Sequence, residues 1–568
     1  MAYIYVTDYE KLDYSLKLLK DSSVIAVDTE TTGLDCFNNK IRLVQIASKN
    51  NPVIILDMFK LNKKEDLLKI KKLLESDKLK IFHNAKFDIK FLKCNFDITI
   101  DNYIYDMMIA SQVYESGNRV GNYQLKSLAK DYLNIELDKS EQVSNWGAAE
   151  LSCEQLEYAC KDVEILLKLR EFLNVKLKKE DLLQTALLEF EVIPVVVEME
   201  LNGFLIDPHK LSTLKECVIK EKEEHLKTLQ TIMPKVDNFN SPRQVLVALN
   251  KIGVLVKSTD KQILKPLAKE FIEVDALLKY KKSDKWLGII KKLLELRNPL
   301  TNRLHSQYNQ NFTKTGRFSC YSPSIQQIPN KKEFRECFIA RDGSVLIVAD
   351  YSQIELRIAA EISDDPVMIA IYKNDGDIHK KTASILNSKN IEAVTKEERN
   401  QAKAINFGLL YGMQYKTLIE YAFSSYGVIL TEEQAIEFRD KFFCYYTGIR
   451  DWHRDLIEQK SRVSYTLGGR RRIWAEYPFL PQLANTPVQG TGADILKKAL
   501  VFLKNSIKNY NAKIIGCVHD EIIVETPTSN SEQVCGIVKD SMKKAGGVYI
   551  RKVPIIAEVK ICRNWSEK

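Results

Sequence analysis

The first roughly 180 positions alternate short apolar runs with polar or turn residues, in units of strand length. The runs are "SSVIAVDTE" from Ser22, "IRLVQIAS" from Ile41, "NPVIILDM" from Asn51 and "KIFHNA" from Lys80. Helical stretches such as "LEYACKDVEILLKLREFL" at 156–173 stand between and after them, the pattern of an α/β layer fold. Over about 176–300 the pattern becomes long Lys-rich helices, broken at "LNGFLIDP" and "FNSPRQ", where Gly and Pro mark turns. Strands return with "LIVAD" at 346–350, a helical block covers about 377–460, and a strand pair, "KIIGCVHDEIIVE", lies at 513–525. No internal repeat or low-complexity tail is present.

A chain of 568 residues is too long for one core and is expected to divide into three or four compact units. Its 45% hydrophobic and 28% charged residues fit a soluble globular protein. The surplus of 84 Lys+Arg over 75 Asp+Glu gives +9, which suits a polyanionic partner where the charge clusters, as on the Lys-rich helices. No charged-then-apolar leader precedes Val24 and no apolar run reaches the ~20 residues of a bilayer span, so a soluble intracellular protein with no membrane association is expected, either cytoplasmic or the mature form of an organellar one. The 11 cysteines form no C-x-x-C pair and suggest neither a zinc site nor a disulfide framework.

Two groups of residues carry chemistry. In "VIAVDTETTGLD", Asp28 and Glu30 are two apart on a strand and project from one face. Tyr158 and Asp162 are four apart on a helix and also share a face, and Asp88 follows "FHNAKF". Carboxylates gathered this way repel unless a hard cation lies between them, and Mg²⁺ or Mn²⁺ suits oxygen ligands. Two such ions activate a water against a phosphodiester, and a tyrosine can orient that water.

The second group begins with "LIVADYSQIELR", an apolar strand that delivers Asp350, with Glu355 five residues on. The hairpin "GCVHDEIIVE" exposes Asp520 and Glu521 at its tip. Beside the Asp350 strand, it would let the two aspartates hold a pair of metals about 3.5–4 Å apart. Between them, Arg399, Lys403, Phe407 and Tyr411 recur every four residues along one helical stripe. Two cations followed by two aromatics suit a nucleoside triphosphate, and His379 in "GDIHKKTAS" adds a phosphate contact.

The first set of segments resembles a 3′–5′ proofreading exonuclease domain of RNase H-like fold. "TGRFSCYSPSIQQIP", "DYSQIELRIAA", "AKAINFGLLYG", "TPVQGTGADILKKA" and "VHDEIIVE" resemble the motifs of family A DNA polymerases, typified by the large fragment of bacterial DNA polymerase I. The resemblance covers nearly the whole chain. It implies an α/β exonuclease domain at 1–180 and a right-hand α+β polymerase domain at 181–568, with a thumb at about 200–300, palm at about 301–376 and 461–568, and fingers at about 377–460. Asp28, Glu30, Asp88 and Asp162 would bind two metal ions and Tyr158 the attacking water. Asp350 and Asp520 would bind two more, supported by Glu521. Arg399, Lys403 and His379 would hold the triphosphate, and Lys403 would also protonate the leaving group. Glu355 would exclude a ribose 2′-hydroxyl, Tyr411 would stack near the incoming pair, and Phe407 predicts discrimination against dideoxynucleotides. Arg317, Gln327, Asn485 and Gln489 would contact the nascent duplex, with His519 beside the primer terminus. The implied partners are primer–template DNA and dNTPs, acting on a monomer served by replication accessory proteins.

The chain departs from that pattern between "LGGRRRIW" and "NTPVQGT", where it is shorter and Pro481 stands in place of an arginine; some template-side contact is therefore expected to be lost or to be supplied by the neighbouring Arg470–Arg472 run. Gln327 replaces a commoner Asn. The exonuclease strand begins by Val24, which leaves no room for a 5′-nuclease domain, and no flap cleavage is expected. Two rivals stay open at this level, a nuclease whose second half only binds DNA and a non-catalytic replication scaffold.

Overall fold

The computed structural model describes residues 2–119, 122–138 and 140–568. The apolar runs of the first segment form a six-stranded sheet of β1 (Tyr3–Val6), β2 (Val24–Thr31), β3 (Ile41–Ala47), β4 (Val53–Asp57), β5 (Leu79–Phe82) and β6 (Ile104–Asp106), in the order β1-β4-β3-β2-β5-β6. β2, β3 and β4 are antiparallel neighbours, while β1–β4, β2–β5 and β5–β6 are parallel. Every residue of β3 and β4 is buried, the apolar ones in the core and Arg42 of β3 paired with Asp57 of β4 at 3.0 Å. β2 differs at its end: Thr29 is buried while Asp28 and Glu30 reach partial exposure, so the strand's period of two delivers both carboxylates to one face. The helix Cys153–Lys179, opened by a Ser152/Gln155 capping box, packs across β2, β3 and β4.

The next helix, Leu183–Asn202, is apolar on two faces. Leu188, Val192, Val195, Val196 and Met199 enter one core, and Ala186, Phe190, Ile193 and Val197 enter the core beneath the six-stranded sheet. Both sets follow the helical repeat, and each side chain larger than alanine contributes roughly 1.5–3 kcal/mol on burial, so either face outweighs any single ion pair at this seam.

The Lys-rich section forms the paired helices Pro208–Ile232 and Ile272–Glu295, with Pro242–Lys251 and Lys261–Leu267 at their far end. That end has its own core, including Leu229, Phe239, Val245, Leu264 and Leu277. Three cores therefore divide the described residues.

A second sheet, of four antiparallel strands, has the order Lys513–Val518, Glu521–Pro527, Ser344–Tyr351, Ala557–Cys562. Helices Leu480–Ser506 and Ser531–Tyr549 pack together and the latter covers the sheet, while Leu183–Asn202 packs on the Lys513–Val518 strand. The helical block from Ile378 to Glu458 shares this sheet's core rather than forming one of its own.

Glu189, fully buried on the joining helix, accepts from Arg470 and Lys497, each at 2.5 Å, and from Gln310 at 2.8 Å. Burial pushes its carboxyl up, but the charges of Lys497 and Arg470 outweigh that and hold it low. Arg470 also pairs with Asp494 at 2.7 Å. Glu189→Ala strands the buried Lys497 and leaves Arg470 with Asp494 as its one carboxylate, and the chemical-denaturation midpoint should fall by an amount equivalent to about 3–5 kcal/mol; an unchanged midpoint would mean that the cluster holds nothing together.

Candidate active sites

The three segments of the first cluster meet. Asp28 and Glu30 on β2 and Asp162 on Cys153–Lys179 bring one carboxylate oxygen each to within 4.8 Å of one another. Tyr158, one turn before Asp162, hydrogen-bonds to it, and burial followed by the charges of Asp162 and Glu30 keeps the phenol protonated. Asp88 is not one of the three. It sits buried on helix Ala85–Phe96, accepting from Thr29 Oγ1 at 2.7 Å, and burial with the charge of Asp28 raises its carboxyl well above the usual range. That helix is fixed at its start by Asp106, which accepts from the Ala85 N–H at 2.6 Å. Three carboxylates so close, all oxygen donors, fit a hard divalent cation. The cluster lines a cavity of about 970 Å³ whose lining also includes Asn309 and Phe312, beyond the joining helix in sequence.

In the second cluster Asp350 lies directly across from Glu521 in the antiparallel register, so the two side chains share a face. Asp520 occupies the turn before Glu521. Burial raises its carboxyl, with Asp350 and Glu355 adding to the rise and Arg317 opposing it. Arg317 Nη2 donates to Glu355 at 2.7 Å and stands 3.8 Å from Asp520. The Tyr411 hydroxyl donates to the other oxygen of Glu355, and Gln489 reaches the same hydroxyl. Lys568 Nζ bridges Asp350 at 2.8 Å and Glu521 at 3.0 Å. An ammonium held between these two carboxylates shows that the position demands positive charge, which fits a divalent cation on the same oxygens.

Family-wide sequence models match both halves, with DNA polymerase family A over residues 208–567 and 3′–5′ exonuclease over residues 3–178. The chain belongs to DNA polymerase family A. The DNA polymerase I of Aquifex aeolicus is 35% identical with both chains fully covered, and that of Pseudomonas aeruginosa is 31% identical, with this whole chain aligned to 66% of the relative. A solved structure described as the POL domain of Pol1 from M. smegmatis in complex with DNA primer-template and dNTP has the same fold, at a TM-score of 0.87 and 24% identity over 99% of each chain. The protein is a DNA-directed DNA polymerase with a proofreading 3′–5′ exonuclease, and enzymes of this family depend on divalent metal.

In the polymerase, Arg399, Lys403 and Phe407 line the partly exposed side of helix Lys396–Leu410, and Tyr411 follows its end in a buried position. Arg399 is oriented by Asp377, whose carboxylate accepts its Nε–H at 2.6 Å while capping helix Ile378–Leu386. His379 is buried beside Phe407, with ring centroids 5.9 Å apart. Asn406 donates to its Nδ1 at 2.8 Å, which leaves the neutral ring's proton on Nε2. Asn485 and Gln489, four apart, form a half-buried pair on an otherwise buried stretch of helix Leu480–Ser506. Gln327 is exposed on a 3₁₀ turn, His519 is exposed beside Asp520, and the Arg317 Nε–H is buried with no hydrogen-bond partner among the described residues.

Two expectations change. Glu521 is not exposed at the hairpin tip but buried, receiving Trp565 Nε1 at 3.3 Å and lying 3.6 Å from Arg335, because a residue in strand register with Asp350 belongs to the sheet. Arg470 and Arg471 do not replace the missing template contact. Arg470 is in the Glu189 cluster, Arg471 binds Glu180 and the Tyr114 carbonyl, and only Arg472, stacked 3.4 Å above Trp474, retains a partly exposed guanidinium. Pro481 sits in the first turn of its helix, where a missing N–H costs nothing. Lys568, Thr29 and Asp106 were not singled out from sequence; their partners are 218, 59 and 21 residues distant. The preference of Asp for the N-cap position could have flagged Asp377 ahead of helix Ile378–Leu386, but nothing local points to Arg399 as its partner.

Burial pulls both His379 and His453 down to about 4. Because the folded values lie below the unfolded value of about 6.5, their contribution is complete above pH 6.5 and is lost as pH falls toward 4. Thermal melts from pH 7.5 to 4.5 should show that loss, about 3 kcal/mol per histidine at the acid limit. His453→Gln, which keeps a donor for the Leu410 carbonyl, should remove part of the slope.

Proposed function

We propose that the polymerase adds dNTPs to a primer 3′-hydroxyl at the Asp350–Asp520 site under template direction and excises mispaired 3′ ends at the Asp28–Glu30–Asp162 site. The observation that carries this reading is that each carboxylate cluster sits on rigid strand and helix elements, while an Arg/Lys-bearing helix face adjoins only the second, tied to it through Tyr411 and Glu355. Asp350 and Asp520 would hold two Mg²⁺ ions, and Asp28, Glu30, Asp88 and Asp162 two more, with Mn²⁺ able to substitute. When bound, such ions lower the pKa of an attacking oxygen and neutralise a phosphoryl leaving group.

The chain's own residues do the rest. Arg399 and Lys403 bind the triphosphate, His379 donates to it from Nε2, and Lys403 supplies a proton to the departing pyrophosphate. Phe407 and Tyr411 pack against the sugar and base of the incoming nucleotide. Glu355, clamped from both sides by Arg317 and Tyr411, fills the space of a 2′-hydroxyl. Arg317, with an unsatisfied buried Nε–H, joins Gln327, Asn485 and Gln489 along the nascent duplex, and His519 meets the primer terminus. Glu521 supports Asp350 through Lys568. Tyr158 orients the water for excision. The exonuclease unit occupies 1–180 and the polymerase unit 181–568, with the thumb at about 200–300, fingers at about 377–460 and palm in the remainder; the working form is a monomer aided by replication accessory proteins.

The test is a primer–template with a mismatched 3′ end, incubated with Mg²⁺ with and without the four dNTPs. Excision without dNTPs and full extension with them are expected; excision alone would move the reading to a nuclease that only binds DNA. Asp350→Ala should abolish extension and spare excision, Asp28→Ala should do the reverse, and EDTA should stop both. Either substitution removing both activities in a folded protein would overturn the two-site assignment. Glu355→Ala should raise the ratio of ribonucleotide to deoxynucleotide incorporation at least tenfold (about 1.4 kcal/mol), measured by single-nucleotide kinetics.

A further inference from the structure

The hairpin of Gln307–Asn309 and Ser319–Tyr321 belongs in sequence to the polymerase unit, yet it meets both active sites. Its first strand is tied to the helix that carries Asp88: Lys86 Nζ donates to the Tyr308 carbonyl at 2.7 Å and Lys90 Nζ to Gln307 Oε1 at 2.8 Å. Gln310 is bound to Glu189, Asn311 Oδ1 accepts from Arg470 at 2.6 Å, and the Thr313 hydroxyl donates to the Arg317 carbonyl at 2.7 Å. Amid these anchored residues stands Phe312, 69% exposed, on the wall of the exonuclease cavity. Leu34 and Val143 line the same cavity from the exonuclease unit, 87% and 92% exposed. A large aromatic left in water while its neighbours on both sides are fixed is a preorganised contact surface.

The cavity gives that surface its partner. Its floor carries Asp28, Glu30 and Asp162, where a phosphodiester is cut, so the apolar groups at its wall face the bases of the strand being cut. Resting on the exonuclease reading above, we infer that Phe312 is a positioning residue contributed by the polymerase unit, stacking on the unpaired 3′-terminal bases of a primer in the exonuclease site. The same loop ends in Arg317, at the polymerase carboxylates, five residues on and within a chain reach of about 18 Å. One rigid hairpin thus presents an arginine to the primer in one site and an aromatic to the unpaired end in the other.

The test uses the full chain and a primer–template with three mismatches at the primer end and 2-aminopurine as its last base. In an Asp28→Ala background, where the primer stays intact, stacking on Phe312 quenches the fluorescence, and Phe312→Ala should remove that quenching while Phe312→Tyr restores it. With Asp28 present, Phe312→Ala should lower kcat/KM for mismatch excision about fivefold or more, through KM, the effect of losing one base–aromatic stack. Incorporation on a matched primer is the control and should be unchanged. Unaltered quenching and excision in Phe312→Ala would overturn the inference, as would an equal loss of incorporation, which marks a general structural defect. Retention of excision by Asp28→Ala alone would instead strike the exonuclease reading, so the two failures are distinguishable.

Discussion

The helix Leu183–Asn202 shows solvent only a narrow stripe that includes Gln184, Leu187 and Glu191, and the rest of the molecule is arranged around its two buried faces. Its two apolar stripes complete two different cores. Each stripe also carries a buried carboxylate whose partners come from the unit on its side. Glu189 is satisfied by Arg470 and Lys497 of the polymerase unit, and Glu200 by Lys86 and Lys90, which flank Asp88 on the exonuclease helix. A buried charge is tolerated only when paired, so neither unit can shift along this helix without stranding one. Two chemistries that must act on one primer are therefore held in a fixed relation by packing and by charge together.

The same logic operates within the polymerase site on a smaller scale. Asp350, Asp520, Glu355 and Glu521 would repel one another, and Arg317 and Lys568 stand among them. Tyr411 adds a donor from the end of helix Lys396–Leu410. Charge balance thus joins a strand, a hairpin, a helix start and the residues after the Ala557–Cys562 strand into one floor, and helix Lys396–Leu410 is tied to that floor through Glu355. In the exonuclease site the balance is less complete: Asp88 is buried against Asp28 with its carboxyl raised well above the ordinary range, a surplus of negative charge that a cation relieves.

The local patterns decided a great deal. The period of two in "VIAVDTE" put Asp28 and Glu30 on one face, and the helical spacing of Tyr158 and Asp162 gave the matching surface. The apolar run before Asp350 and the hairpin at 513–525 formed neighbouring strands, and the helix carrying Arg399, Lys403 and Phe407 runs where its capping signal begins. These features depend on residues close in sequence, and hydrophobic period and turn chemistry specify them.

What only the tertiary structure decided is which charges meet. "GRRR" reads as an exposed basic run, yet Arg470 and Arg471 lie at the seam between units because Glu189, Asp494 and Glu180 converge there. Glu521 reads as a hairpin tip and is buried because strand register continues one residue farther than the turn signal suggests. Lys568 and Phe312 carry no local signature; one acquires its place from two carboxylates on paired strands and the other from a cavity built by a separate unit. Periodicity is a property of neighbours along the chain, whereas ion pairing and cavity lining are properties of neighbours in space, and those exist only once the joining helix has brought the cores together.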